Sequence, residues 1–268
     1  GLFKYTNGTG FKNAVMDASC SVVCTHSVAT EPVYVGSVVG YVYAMSSESV
    51  VDGLVNMASV AFTGNTLGAD TSVASIGGVM GYAHPNGNNL QIKNCMNFGT
   101  VENSGTCNLS GLGGILGSYL TPNFEAPGFC FINNCANHGK VVYSGYTERF
   151  FACGGIVGAM RRGTIGNCLS QGTVVTLRQS EAIGKVVGAA NMDTTISHCF
   201  WTNGEGASVA CGFPFLSEPS VVESYRIDLT SGVLDKLNEW ALNNEWTEWT
   251  MLHLNGGNLG GAQEDRVA

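Results

Sequence analysis

Charge is the scarcest commodity in this sequence. Asp, Glu, Lys and Arg together make up 12 % of its residues, against roughly 25 % in an ordinary globular domain. Only 12 of the 268 residues are Lys or Arg, and the formal net charge is -8. Nucleic-acid binding needs clustered cations to displace phosphate counterions; no basic stripe exists here, so that class of partner is excluded. Long hydrophobic runs are missing too. The longest apolar stretches, Gly113 to Gly117 and Phe150 to Met160, are too short and too rich in glycine to span a bilayer as a helix, so no membrane insertion of this segment is expected.

Signatures of cofactor chemistry are equally thin. There is no Gly-Lys-Ser/Thr phosphate loop and no Gly-x-Ser-x-Gly nucleophile elbow. The glycines of Gly111 to Gly117 lack the strand, turn, helix and distant acid of a dinucleotide site. His26, His84, His138, His198 and His253 show no metal-ligand spacing, and Cys20-x-x-x-Cys24 with His26 is too little for zinc. Acidic residues do not recur at fixed places, which argues against a calcium ladder and against paired carboxylates of the glycosidase kind. No catalytic residue, no cofactor and no metal is therefore expected, and no ligand-binding residues are assigned.

Glycine and cysteine are what the chain has in excess: 37 glycines, about twice the usual share, and ten cysteines. The glycines recur in a unit. Gly77-Gly78-Val79-Met80-Gly81 returns as Gly113-Gly114-Ile115-Leu116-Gly117 and Gly154-Gly155-Ile156-Val157-Gly158, with weaker copies at Gly36 and Gly184 and a truncated one at Gly1. After a variable stretch comes a second half: Ile92-Lys93-Asn94-Cys95, Ile132-Asn133-Asn134-Cys135, Ile165-Gly166-Asn167-Cys168 and Ile196-Ser197-His198-Cys199. Two copies continue as Asn97-Phe98-Gly99-Thr100-Val101 and Asn137-His138-Gly139-Lys140-Val141. Unit starts lie roughly 30 to 41 residues apart, with the length variation between the halves, as loops on a stacked coil would give.

Short strands rich in Val, Ile and Thr, bounded by Gly and Asn, predict an all-β, right-handed parallel β-helix (β-solenoid) of about six coils. Thr230 to Asn243 has helical spacing, and Trp246, Trp249 and Leu252 alternate like a strand. The expected domains are a solenoid over 1–215 and a segment over 216–268, one helix and a short strand, that caps the exposed last coil.

In stacked coils Cys95, Cys135, Cys168 and Cys199 occupy one column, within the distance a disulfide tolerates. They form either staples, 95 to 135 and 168 to 199, or a column of buried thiols. The even, high cysteine count favours an oxidising compartment, and Asn7 and Asn108 each open an Asn-x-Ser/Thr glycosylation pattern. An extracellular or cell-surface location follows as an expectation.

The unit Gly-Gly-(Ile/Val)-(Val/Leu/Met)-Gly, then Ile-x-Asn-Cys, then x-Asn-x-Gly-x-Val, resembles the GLUG repeat of bacterial surface adhesins, of segments accompanying immunoglobulin-A peptidases, and of large surface proteins of some unicellular eukaryotes. The resemblance covers about residues 1 to 204; Ser37 and Lys185 replace its second glycine and Leu54 its cysteine. It implies a secreted β-solenoid without a catalytic set. The expected function is a non-catalytic structural or adhesive module of a larger surface or filament-forming protein, acting by self-association or by contact with another surface protein or a glycan. The alternative is a carbohydrate-active parallel β-helix enzyme, in which acids such as Asp17, Glu102, Glu125 and Glu148 would converge.

Overall fold

A computed structural model of the chain describes residues 1–7, 10–28, 31–44, 49–68, 72–84, 86–120, 128–178, 182–202, 206–214, 219–227, 232–243 and 249. It is a parallel β-helix. One full coil reads Met80–His84, Leu90–Lys93, Met96–Asn97, Val101–Asn103 and Thr106–Gly113. Each of these five strands pairs in parallel with its counterparts one coil before and after. Five strand columns result, called here columns 1 to 5 in that order. Columns 1 and 2 belong to one twelve-stranded sheet, because Val157–Gly166 and Val187–Ser197 run through both. Among the described residues, column 3 has seven strands and columns 4 and 5 have five each.

The coils are in register residue for residue, and this is what turns the sequence repeat into a core. Val51, Ile92, Ile132, Ile165 and Ile196 stand over one another in column 2 and are buried with the column 1 series Val39, Met80, Leu116, Val157 and Val187. A second apolar cluster fills the space between columns 4 and 5, with Ile76, Val101, Leu112 and Val141 among its members.

A buried amide ladder lies between the two halves of the repeat. Asn56 Nδ2 donates to Asn97 Oδ1 at 2.7 Å and Asn97 Nδ2 to Asn137 Oδ1 at 2.8 Å. The same amide groups donate to the carbonyls of Ala58, Gly99 and Gly139 two residues on. The paired glycines face this ladder. A Cβ on Gly114 would stand 2.3 Å from Asn137 Cγ and 2.1 Å from the Gly155 carbonyl oxygen, so the second glycine of the motif makes room for the asparagine of the other half.

Between columns 2 and 3 the chain turns a left-handed corner at Asn13, Gly53, Asn94, Asn134, Asn167, His198 and Glu223, with φ between +45° and +66°. Glycine and asparagine tolerate that region best. This explains the Asn of Ile-x-Asn-Cys.

With seven strands in column 3 and five in columns 4 and 5 among the described residues, the stack agrees with about six coils. Two expectations are corrected. Strands 211–214, 220–222 and 225–227 carry the ladders past residue 215 to Ile227. This last rung lacks the motif: its place is set by hydrogen bonding to the coil before it. The helix α1 (Gly232–Asn243) forms where expected, but it lies along the side of the solenoid rather than across its end. Val233 and Leu237 pack with Leu169, Phe200 and Ile227 on the outer face of column 3, and Asn167 Nδ2 donates to the Leu237 carbonyl. That outer face is apolar along its length, Val55, Met96 and Ala136 included, and so gives the apolar stripe of an amphipathic helix a surface to cover. The strand expected around Trp246 and Leu252 lies outside the described residues, apart from Trp249, which is buried.

Candidate functional site

The column cysteines stand where the register requires. Cys95, Cys135, Cys168 and Cys199 are all fully buried, each just after a left-handed corner. Their Sγ atoms sit 3.2 to 3.4 Å from the carbonyl oxygens of Lys93, Asn133, Gly166 and Ser197, two residues back in each case. Each of the ten cysteines carries its thiol here, none joined to another. Burial pushes the thiols of Cys95, Cys135 and Cys168 well above their ordinary pKa, so none is a ready nucleophile. Asn108, a glycosylation candidate, is 2 % exposed, and a glycan there is incompatible with this fold. The side chain of Asn7 lies outside the described residues.

A second polar ladder follows the corners along the outside. Asn94 Nδ2 donates to Asp52 Oδ1, Asn134 Nδ2 to Asn94 Oδ1 and Asn167 Nδ2 to Asn134 Oδ1. Each amide thus gives its hydrogen to the coil before it. The series ends in a different chemistry. His198 takes the next corner, its Nδ1 is 2.6 Å from Ser197 Oγ, and its Nε2 is 2.9 Å from Glu223 Oε2 at the last corner. His198 and Glu223 border a cleft of about 590 Å³ against α1, lined also by Phe200, Lys236, Glu239, Trp240 and Asn243.

A hydroxyl, an imidazole and a carboxylate in line are the parts of a nucleophilic triad. An acyl-transfer site also needs amide donors aimed at the oxyanion. The amides beside Ser197 are engaged elsewhere: His198 N–H donates to the Val222 carbonyl and Cys199 N–H to Ser224 Oγ. Sequence reading missed this line because Glu223 lies 25 residues beyond His198 and follows no repeat.

The described acids weighed for a carbohydrate-active site, Asp17, Glu102 and Glu148, lie on three different coils. Asp17 bonds the Ser19 amide in a turn of the first coil. Glu102 accepts from Ser144 on column 4, Glu148 is on column 5, and Glu125 lies outside the described residues. Among the described residues no three His, Cys, Asp or Glu side chains group as metal ligands, and no helix is long and apolar enough to cross a membrane.

Among the aromatic side chains of the middle coils, Tyr119 and Tyr143 are fully buried, and Tyr82 and Phe151 nearly so. A different aromatic array exists. Tyr5, Tyr41 and Tyr82 occupy successive positions of column 1 with ring centroids 5.3 and 5.5 Å apart and nearly parallel planes. Tyr34 leans in from column 5, its ring 4.6 Å from that of Tyr82. Desolvation and the neighbouring phenols push Tyr41 up to about 12. Farther along, the same seam between columns 5 and 1 closes on Ala152, Ala159, Ala182 and Ala189, with Phe150 and Phe213 beside them.

Exposed apolar side chains concentrate on the first and last coils. Of twelve large ones among the described residues, nine are there: Leu2, Phe3, Tyr5, Val15, Val23 and Val28 at one end, Val209, Val221 and Val222 at the other. Lone exposed apolar residues are ordinary; a concentration of them marks a contact surface.

No protein-family model matches the sequence, and no curated protein matches it. Among solved structures, a candidate immunoglobulin A1 protease from Bacteroides ovatus is similar, at 16 % identity and a TM-score of 0.47, over 89 % of this chain and 72 % of that one. A likeness of this size bears on neither activity nor substrate.

Proposed function

We propose that this chain is a non-catalytic, extracellular structural or adhesive module of a larger GLUG-type surface protein, acting through assembly or through binding on its outer face. The observation that carries the reading is where the recurring residues go. The paired glycines, the amides and the column cysteines are all engaged in corners, ladders and core, and the surface left over is apolar at the two ends. Binding by such a module rests on area and multiplicity rather than on bond making. The test is to offer the chain a panel of polysaccharides, glycans and protein substrates and to measure retention and turnover together. Retention on glycans or cell surfaces without turnover is the expected outcome, and multiple turnover of any substrate would sink the reading.

A carbohydrate-active enzyme is the second reading, favoured by one observation: the cleft in which Glu223, Glu239 and His198 stand near the Trp240 indole. On that reading Glu223→Gln abolishes polysaccharide turnover while leaving the unfolding midpoint in place.

A further inference from the structure

The cleft beside the last corners has one wall from the solenoid and one from α1. On the solenoid side stand His198 and Glu223, on the helix side Lys236, Glu239, Trp240 and Asn243. Helical spacing explains the second set. Val233, Leu237 and Ala241 are the buried stripe of α1, and residues 236, 240 and 243, three and four apart, form the stripe beside it. Packing the first stripe on column 3 therefore brings the second to the edge of the cleft.

The solenoid leaves a place for the indole. One row of column 2 carries Asp52, Lys93, Asn133 and Ser197, but Gly166 on the coil between the last two. Trp240 Cζ2 lies 3.5 Å from where a Cβ on Gly166 would stand, so the half-buried indole meets backbone at the one corner that has no side chain. Its ring centroid is 6.2 Å from that of His198, with the planes tilted by 46°.

The opposite wall is held by the line of Ser197, His198 and Glu223. His198 Nε2 is 2.9 Å from one Glu223 carboxylate oxygen, while the Glu223 side chain stays 71 % exposed. Glu239 and Asn243 are exposed as well. Polar groups that face water from both walls thus flank an aromatic ring.

The signs of charge on these walls select the class of ligand. An anion would meet the carboxylates of Glu223 and Glu239, and a cation would meet the Lys236 ammonium; like charges brought together repel. Walls of both signs suit a neutral molecule that gives and takes hydrogen bonds, since Glu223 and Glu239 accept, Lys236 donates and Asn243 does both. The indole adds apolar surface for a flat face to cover. Sugar rings combine the two properties, with hydroxyls round the edge and C–H bonds on the faces. The volume of about 590 Å³ falls inside the roughly 300 to 1,000 Å³ of small-molecule sites.

We propose that this cleft binds a neutral oligosaccharide, with Trp240 against a sugar ring and Glu223, Glu239 and Asn243 on its hydroxyls. The inference rests on the reading of the chain as a non-catalytic binding module, and names its ligand class and the place where it is held.

The probes are neutral tetrasaccharides of β-1,4-linked glucose, xylose, mannose and N-acetylglucosamine, with a sulfated and a glucosamine tetrasaccharide as charged counterparts. Each is titrated into the ¹⁵N-labelled chain. The four tryptophans each give an indole N–H signal, and that of Trp240 is identified by its loss in Trp240→Phe. At least one neutral probe is expected to shift the Trp240 signal saturably and to be recovered uncleaved, and neither charged probe is expected to shift it. Glu239→Ala should weaken that probe about tenfold and Asn243→Ala about threefold. Both positions are exposed on α1, so far-UV circular dichroism and the unfolding midpoint should be retained. These two affinities also decide the question if Trp240→Phe fails to fold.

Neutral probes that leave the Trp240 signal unmoved up to their solubility limit, binding of the charged probes alone, or a bound neutral probe indifferent to both helix variants overturns the proposal. In the last case sugar is held elsewhere on the chain, and the adhesive reading outlives the loss of this site. A probe that binds at Trp240 and is cleaved keeps the site and sinks the non-catalytic reading.

Discussion

Lys185 stands where the repeat has its second glycine, 1 % exposed, and its neighbour in the ladder explains it. In two consecutive coils the ladder asparagine, Asn97 or Asn137, donates to the glycine carbonyl two residues on. In the next coil Ser170 is too short to do so, and Lys185 Nζ, arriving from the coil after, lies 3.3 Å from the orphaned Gly172 carbonyl. Two departures from the motif are thus one substitution shared between coils. Burial lowers the Lys185 pKa, so between its folded and unfolded pKa values the unfolded chain binds more protons and stability rises with pH toward 10.5. Relative to Lys185→Met, the wild-type chain should therefore gain stability as pH is raised from 7 to 10.5, measured by urea midpoints of the two proteins side by side.

For the intact ladder, Asn137→Ala removes the donor to Gly139 and the acceptor of Asn97. At about 1 to 3 kcal/mol per stranded buried group, a loss of about 3 kcal/mol is expected by denaturant unfolding. The cysteine register was legible in the recurrence of Ile-x-Asn-Cys, but whether the thiols were joined was not, since both forms share the same column. A thiol titration of the denatured, unreduced chain should count ten groups; in the native state Cys20, the exposed one, should react first. A titre of six or eight would mean that bridges form.

Among the elements, the strands and corners were readable because each is specified by a short local pattern repeated many times: β-branched residues inward, glycine or asparagine where φ turns positive. The helix was readable from its period, but its docking was not. Its apolar stripe is the same whether it lies on the end or the flank, and the flank is chosen by the outward column of Met96, Ala136, Leu169 and Phe200, residues that alternate with inward ones and carry no mark of their own. Leu237 is fully buried on that flank. Leu237→Ala, at about 2 to 4 kcal/mol for a buried leucine, is expected to release α1 locally. Hydrogen exchange should then quicken over 232–243 while the ladder amides of columns 1 to 3 keep their protection; loss of protection throughout would place α1 in the cooperative core instead.

For the molecule as a whole, the interior is unusually rich in groups that burial holds neutral. Desolvation raises the thiols of Cys95, Cys130, Cys135, Cys153 and Cys168, pushes Cys107 up to about 11, and raises Tyr119 and Tyr143. Groups with raised folded pKa contribute stability that is fully present below the unfolded value, 9.0 for the thiols and 10.0 for the phenols, and is lost above it. The chain should accordingly lose stability as pH rises above about 9, several thiols outweighing the opposite contribution of Lys185; a thermal midpoint that holds flat from pH 8 to 11 would contradict this. Among the described residues, most of the exposed large apolar side chains lie on the first and last coils.

By itself the sequence determined the repeat, the parallel coil, the corner asparagines and the column of cysteines, because each depends on residues close together in the chain and is written several times over. Only the tertiary structure decided what happens once. It added a motif-free seventh rung held by the coil beneath it, laid α1 on a flank, and brought Ser197, His198 and Glu223 into line. It aligned Tyr5 with Phe213 through six strand spacings, and it paired the lysine at 185 with the carbonyl at 172. Each of these joins residues that no local pattern relates, and what selects it is contact across the coils, where burial and unsatisfied backbone groups are weighed together.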